Sequence, residues 1–454
     1  MDAFFTFAQM FFENVWLYGA SFLLVLTILV FVHEWGHFIV ARLCGVRVEV
    51  FSIGFGKEVW GYTAKNGTRW KFSLLPLGGY VKMFGDADPA SAGHGEAVAY
   101  SEEDKKVAFF TQPVWKRASI VAAGPGINFV FAIILLAGLF AFNGKVEVAP
   151  VVTAVQIGSP AEEAGFMPHD RVLEINGKKA RRFGDITRSV TIALDDEMTF
   201  LVDRDGEQET LTVKPERIVI EGRFDQEIGR IGVLGPSSGF LISEIDEING
   251  VAMNEENIAA TRQAIDKNLN NQFTVKFKST TDDNMAFKVA PSREANASIA
   301  DQESPMFDAL ILVDGPYRTT VKYGPVEALG EGVSYTWGVT VDTMRAMGQI
   351  FSGTRSLTEL GGVIRIASFA GDMAQQGLIA LIIFTALISI NLGLINLFPI
   401  PLLDGGHLVM YAVEAVKGKP VSEKTQEYAF RAGMTFLIFL MVFANLNDIL
   451  QLIL

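Results

Sequence analysis

Cysteine is almost missing from this chain of 454 residues: Cys44 stands alone, which excludes an intrachain disulfide framework and any zinc cluster built from thiolates. Charge is scarce as well. Asp, Glu, Lys and Arg supply 20% of the residues, half of the residues are apolar and the mean hydropathy is +0.29, a balance that disfavours a purely soluble protein. Positive charge is the shorter of the two signs, with a formal net charge of -13 and a pI near 5.0. Nucleic-acid binders need a basic footprint to track phosphates; no basic stripe occurs here, so no nucleic-acid partner is expected. A secretory leader is also excluded as the reading of the first apolar stretch, because no Lys or Arg precedes Arg42, the stretch is too long and no small-residue cleavage site follows it. Metal chemistry, if present, falls to His and carboxylates.

What the chain does contain is four apolar blocks near its ends. The first, about Val15 to Ala41, is interrupted only by His33, Glu34 and His37 and is long enough to cross about 30 Å of hydrocarbon as a helix. The second, Ala118 to Phe142, and the third, Gly377 to Phe398, carry no charged residue, while the fourth, roughly Ala429 to Leu446, is shorter and begins beside Arg431. The expected fold is a polytopic α-helical membrane protein with four transmembrane helices around a soluble insert. Lys and Arg crowd the stretch from Arg42 to Arg117 and recur at Lys417, Lys419 and Lys424. These loops should be cytoplasmic. The acidic insert then faces the other side, the periplasm in a diderm bacterium, and the protein is placed in the inner membrane.

The insert repeats itself. Ala164-Gly-Phe-Met-Pro-His-Asp-Arg-Val-Leu-Glu-Ile-Asn-Gly177 is echoed by Ser238-Gly-Phe-Leu-Ile-Ser-Glu-Ile-Asp-Glu-Ile-Asn-Gly250. Each copy predicts a strand ending in a tight Asn-Gly turn, then a helix (Phe183 to Leu194; Asn257 to Leu269), then alternating strands (Met198 to Val202 and Thr210 to Val213; Phe273 to Phe277 and Ala286 to Val289). This pattern resembles tandem PDZ domains of the α+β class. Ser159-Pro-Ala-Glu-Glu-Ala-Gly165 matches a common bacterial PDZ segment in the first copy, and the second copy lacks a counterpart of it. The expected organisation is therefore 1–142 for the first two spans and their cytoplasmic loop, 151–215 and 216–320 for the two PDZ-like copies, 325–375 for a linker, and 377–454 for the last two spans. In the linker, Val326, Leu329, Val333, Trp337, Val341, Met344 and Phe351 recur near the helical period, predicting an amphipathic helix on the membrane surface or packed on the insert. Asp86 to Gly95, with His94, reads as a flexible loop.

The chemistry gathers in His33-Glu34-Trp35-Gly36-His37. Residues four apart share one helical face, so both imidazoles can aim at one zinc ion, and Glu34 beside the first can hold a water. Ionisable groups inside a membrane helix are costly and usually functional. A catalytic zinc takes three protein ligands and keeps one position open, so a third donor must come from elsewhere. Asp404 is the best placed, just past the third span in Asn396-Leu-Phe-Pro-Ile-Pro-Leu-Leu-Asp-Gly-Gly-His407, where two prolines stop the helix and two glycines allow a tight bend. It falls on the same side of the membrane as His33 and His37. His407, one turn further, is the rival ligand.

With these motifs the chain resembles the site-2 proteases, the intramembrane zinc metalloproteases, over nearly its whole length. Phe51-Ser-Ile-Gly-Phe-Gly56, Leu75-Pro-Leu-Gly-Gly-Tyr-Val-Lys-Met83, Ala122-Ala-Gly-Pro-Gly-Ile-Asn-Phe129 and Ser389-Ile-Asn-Leu-Gly-Leu-Ile-Asn396 extend the match. Gly361-Gly362-Val363 departs from it, since the family commonly has Gly-Pro there. The resemblance implies a zinc metalloendopeptidase with one zinc per chain held by His33, His37 and Asp404, and with Glu34 as catalytic base. It implies a membrane-associated β-hairpin over Trp70 to Met83, whose Gly78, Gly79 and Tyr80 bind substrate by strand addition. Asn391 and Asn396 would contact substrate, or else hydrogen-bond between helices. The implied partners are the membrane and single-span substrates, such as an anti-sigma factor already cut on the periplasmic side or a remnant signal peptide, with the PDZ pair as a size filter. Two other readings stand beside this one. A zinc transporter would also place His and Asp in spans, yet needs neither Glu34 nor a tandem insert; a PDZ membrane scaffold would be expected to have lost a ligand or Glu34.

Overall fold

The computed structural model describes residues 2–85, 101–220, 222–236, 239–253, 258–277, 285–296, 299, 309–312 and 317–453; the loop expected over Asp86 to Gly95 lies outside them. The chain divides into two compact units, Met1–Asn143 with Tyr323–Leu454, and Gly144–Lys322. Four helices are long and apolar enough to cross a membrane, Trp16–Leu43, Val114–Phe142, Leu378–Asn396 and Glu423–Leu452, where the four apolar blocks place them. Each has at least the ~17 residues that a spanning helix needs.

The first unit opens with helix α1 (Asp2–Leu43), strands β1 (Val48–Thr63) and β2 (Arg69–Met83), the short helix α2 (Glu102–Val107) and helix α3 (Val114–Phe142). β1 and β2 form an antiparallel hairpin running from the Val48 and Met83 pair to Thr63 and Arg69. One side of the hairpin is anchored: Phe51 is fully buried, stacks on Trp70 at 4.4 Å and joins Ala41 of α1 and Ile120 of α3 in one core. Its far part shows Phe55, Val59, Trp60, Phe72, Leu74 and Leu75 to the outside, an apolar patch that water would not favour.

The second unit follows as β3 (Lys145–Val148), β4 (Ala154–Gln156), α4 (Pro160–Glu163), β5 (Arg171–Ile175), β6 (Lys178–Lys179), α5 (Phe183–Ala193), β7 (Met198–Arg204), β8 (Glu207–Val213), β9 (Glu216–Ile220), β10 (Gln226–Arg230) and β11 (Val233–Leu234). It continues with β12 (Gly239–Leu241), β13 (Ile245–Ile248), β14 (Val251–Ala252), α6 (Ile258–Asn268), β15 (Phe273–Phe277), β16 (Ala286–Val289), β17 (Ala309–Ile311) and β18 (Arg318–Val321). The internal repeat has the same turn in both copies. Asn176 and Gly177 have φ of 49° and 72°, Asn249 and Gly250 have 51° and 76°, the two consecutive left-handed residues of a type I′ hairpin. In each turn the Asn Oδ1 accepts from a backbone N–H of the strand paired alongside, Thr199 of β7 or Thr274 of β15.

The copies are not independent beads. One sheet runs β6-β5-β7-β8, but β4 and β11 from the first half join the second sheet, in the order β11-β4-β16-β15-β13-β14. Alternation along a strand explains how they serve both: Val155 and Val233 point into the first core with Phe200 and Ile186, whereas Ala154 and Leu234 point into the second with Ile265 and Val275. Ile231 also belongs to the first core, which therefore extends past Pro215, where the sequence pattern of that copy ends. A carboxylate buried in such a core must be paired; Asp170, fully buried, accepts two hydrogen bonds of 2.7 Å from Arg204.

The first unit resumes with α7 (Pro325–Ser352), α8 (Val363–Gln375), α9 (Leu378–Asn396), α10 (Asp404–Lys417) and α11 (Glu423–Ile453). α7 is the amphipathic helix that the sequence predicts, and it packs along α3 and α9. Gly332 meets the backbone of Ile133 and Ala137, and Thr343 Oγ1 donates to Asn391 Oδ1 at 3.2 Å. Val326, Val333 and Trp337 remain exposed on its other side. α3 is thus touched by α1, α7, α9 and α10. Its small residues permit this, as in other packed membrane helices.

Candidate metal centre

The α1 face that carries His33 and His37 lies against α3 at a point where no side chain fits. A Cβ on Gly124 would sit 2.2 Å from His37 Nε2, so glycine there is the condition for the imidazole to occupy its place. Asp404 reaches the same point from the far side. It opens α10 after the turn Leu397 to Leu403, in which Leu402 holds a left-handed φ of 86°, a strained conformation for a leucine of the kind found at functional sites. The turn closes tightly on the new helix: a Cβ on Gly405 would meet the Phe398 and Leu397 carbonyls at 2.2 and 2.3 Å.

Three donor groups converge as a result. His33 Nε2 is 3.2 Å from His37 Nε2 and 3.3 Å from Asp404 Oδ2, and His37 Nε2 is 3.6 Å from Asp404 Oδ1. Around a tetrahedral zinc with bonds of about 2.0–2.1 Å, neighbouring ligand atoms stand about 3.3 Å apart. Asp404 Oδ2 is buried without a hydrogen-bond partner, which is costly unless a cation satisfies it. Two imidazoles and a carboxylate are borderline-hard donors suited to zinc, so the donor set fits that ion. Among the described residues this is the grouping of His, Cys, Asp and Glu side chains placed to hold a metal.

The remaining site residues are distributed unevenly. A cavity of about 180 Å³ is lined by His33, Glu34, His37, Asp404, Gly79 and Tyr80, together with Val81, Leu402 and His407. Gly79 is there because β2 passes close to α1: a Cβ on it would lie 2.8 Å from Val30 and 3.3 Å from Glu34 Cγ. Gly78 packs instead under the Phe55 ring. Asn391 is engaged with Thr343, and neither it nor Asn396 lines the cavity. His407 lines it and lies beside the Phe430 ring, 5.3 Å between centroids, outside the three-donor group. Two contacts on α3 complete the centre: His37 Nδ1 faces the Ile120 carbonyl at 2.9 Å, and His33 Nδ1 faces the Asn128 side chain at 3.1 Å.

Comparison with known proteins gives the family. The sequence matches peptidase family M50 over residues 21–440. It is 37% identical to a protein of Agrobacterium fabrum whose name proposes a zinc metalloprotease, over 96% of each chain, and equally identical to one so named in Brucella suis, over 94% of each. The chain belongs to peptidase family M50, the site-2 protease family, and is a membrane zinc metalloprotease. Within that class it is similar to the regulator of sigma E protease of Haemophilus influenzae, at 34% identity over 96% of this chain and 99% of that one.

Loss of any of the three donors should therefore be felt in the metal content. His33→Ala, His37→Ala and Asp404→Asn are each expected to lower the zinc retained by the purified protein at least tenfold, measured by atomic emission after dialysis. Retention of zinc by Asp404→Asn would move the third ligand to His407.

Proposed function

We propose that this protease hydrolyses a peptide bond within the transmembrane segment of a single-span membrane protein. The observation that carries the reading is the position of the donor cluster: His33, Glu34 and His37 all lie on a helix long and apolar enough to span the bilayer, and Asp404 meets them there. His33, His37 and Asp404 hold one zinc per chain. Zinc, when bound in such a site, supplies Lewis acidity that makes water deprotonable near neutral pH and polarises a carbonyl. Glu34 lines the same cavity, where Gly79 leaves room for its stem. It takes the proton from the attacking water and returns it to the leaving amine, so that one carboxylate serves as base and then as acid.

A substrate helix has its carbonyls bonded internally and must unwind before attack. The edge of β2 supports this reading, because Gly79, Tyr80 and Val81 run past Glu34 along the cavity and, among the described residues, β2 is paired on one side only, by β1. An unwound segment adds to that edge by backbone hydrogen bonds. The apolar outer part of the hairpin suits lipid contact. The relative named as a regulator of sigma E protease favours an anti-sigma factor already shortened by a first cut as substrate, with remnant signal peptides as the other member of that class.

The protein resides in the inner membrane, with its active site near the cytoplasmic side and the repeat unit in the periplasm, as the basic loops favour. That unit consists of two PDZ-like copies and excludes substrates with bulky periplasmic domains. Among its described residues no grouping of metal donors occurs, and recognition is the role proposed for it.

Three outcomes test this reading. Glu34→Gln is expected to keep its zinc while cleavage of a tagged single-span substrate falls at least a hundredfold; full cleavage would remove Glu34 from the chemistry. In a Cys44→Ser background on intact cells, a membrane-impermeant thiol reagent should label Lys179→Cys and spare Glu103→Cys, and the opposite pattern would invert the topology. Finally, Ile175→Asp, which places a charge in the first core of the repeat unit, should admit an untrimmed substrate while leaving cleavage of a trimmed one in place. Equal exclusion of untrimmed substrate by the folded variant would contradict the filter.

A further inference from the structure

Each imidazole of the centre turns Nε2 to the common point and Nδ1 to a partner on α3. For His37 that partner is the carbonyl oxygen of Ile120, 2.9 Å away. A carbonyl can only accept, so Nδ1 carries the hydrogen and Nε2 presents its lone pair. For His33 the partner is the side-chain amide of Asn128, at 3.1 Å, and that residue is fully buried. With Nδ2 placed against the imidazole, Asn128 Oδ1 is left without a partner. An amide's oxygen and nitrogen exchange places in a flip, and only the hydrogen bonds decide between the two orientations. His33 decides here. Its Nε2 stands 3.2 Å from His37 Nε2 and 3.3 Å from Asp404 Oδ2, the position of a metal-facing nitrogen, so Nδ1 must carry the hydrogen and would point it at another donor.

We infer that Asn128 holds its amide in the reversed orientation, with Oδ1 accepting from His33 Nδ1–H, and that it is the positioning residue fixing the tautomer and ring orientation of His33. Asn128 thereby does for His33 what the Ile120 carbonyl does for His37. The residue is itself fixed in place: buried Ser389 of α9 donates from Oγ to the Asn128 backbone carbonyl at 2.8 Å. α9, which leads into the turn that delivers Asp404, is thus bonded to the residue that orients His33. Groups that orient a metal-bound histidine typically change metal affinity about 10–100-fold when removed.

This inference rests on His33, His37 and Asp404 being the ligands, and the test separates the two claims. Zinc affinity of the purified full chain is measured by competition with a chromophoric chelator, and the cobalt-substituted protein is followed by its visible absorption. Asn128→Leu should weaken zinc binding about 10–100-fold and alter the cobalt band, with Asn128→Ala doing the same should leucine disturb packing. Asn128→Asp keeps an acceptor for Nδ1–H and should stay within a few-fold of the parent in both readouts. Parental affinity and spectrum in Asn128→Leu would overturn the inference, as would equal losses in the Asp and Leu variants. If His33→Ala also leaves affinity unchanged, the ligand assignment itself fails; if only His33→Ala loses metal, the ligands stand and Asn128 has no positioning role.

Discussion

Hydrocarbon offers no water to pair with polar groups, so every ionisable side chain placed on a spanning helix must be satisfied by something that the protein brings to it. The first unit is organised around that constraint. His33, Glu34 and His37 interrupt α1, and the groups that answer them come from three directions: Asp404 from the start of α10, Ile120 and Asn128 from α3, and the β2 backbone from the hairpin. Glycine decides whether these elements can come close enough, since a single Cβ on Gly124 or Gly79 would collide with His37 or press on Val30 and Glu34. Packing among the helices and chemistry at the centre are one requirement seen at two scales.

The second unit follows a different logic. It contains paired strands, Asn-Gly turns and two apolar cores, and local hydrogen bonds and ion pairs such as Asp170 with Arg204 satisfy polar groups within it. Because β4 and β11 contribute alternate residues to both cores, disturbance of one copy is felt by the other. The ion pair from Lys288 of β16 to Glu162 of α4, 2.6 Å long, ties the halves again, and it holds the Glu162 carboxyl below its usual range, aided by the Gly158 N–H.

How much could be read in advance depended on the range of the interaction. The four spans are written in composition, and the Asn176-Gly177 and Asn249-Gly250 turns in dipeptides, so both were legible. The meeting of Asp404 with His33 and His37 was legible despite its distance along the chain, because few residue types serve as zinc donors and the Pro and Gly around it announce a turn at a helix end. Asn128 was not, since its partner lies 95 residues away and an Asn within an apolar helix has no pattern that tells positioning from packing. The spacing of α7 announced a helix with an apolar face but could not say that α3 and α9 would receive its other side. The sharing of β4 was hidden for a similar reason: Ala154 and Val155 put an apolar side chain on each face of a three-residue strand, which suits either sheet, and only long-range pairing chooses.

The activity proposed for this centre is metal-dependent hydrolysis inside an apolar segment. The most direct measurement is mass spectrometry of the products formed by the purified protein from a tagged single-span substrate in detergent or proteoliposomes, with and without a zinc chelator. New termini within the substrate's apolar segment, lost on chelation and regained when zinc is restored, are what the geometry requires. New termini only in the flanking polar regions, or cleavage that survives complete removal of the metal, would contradict it.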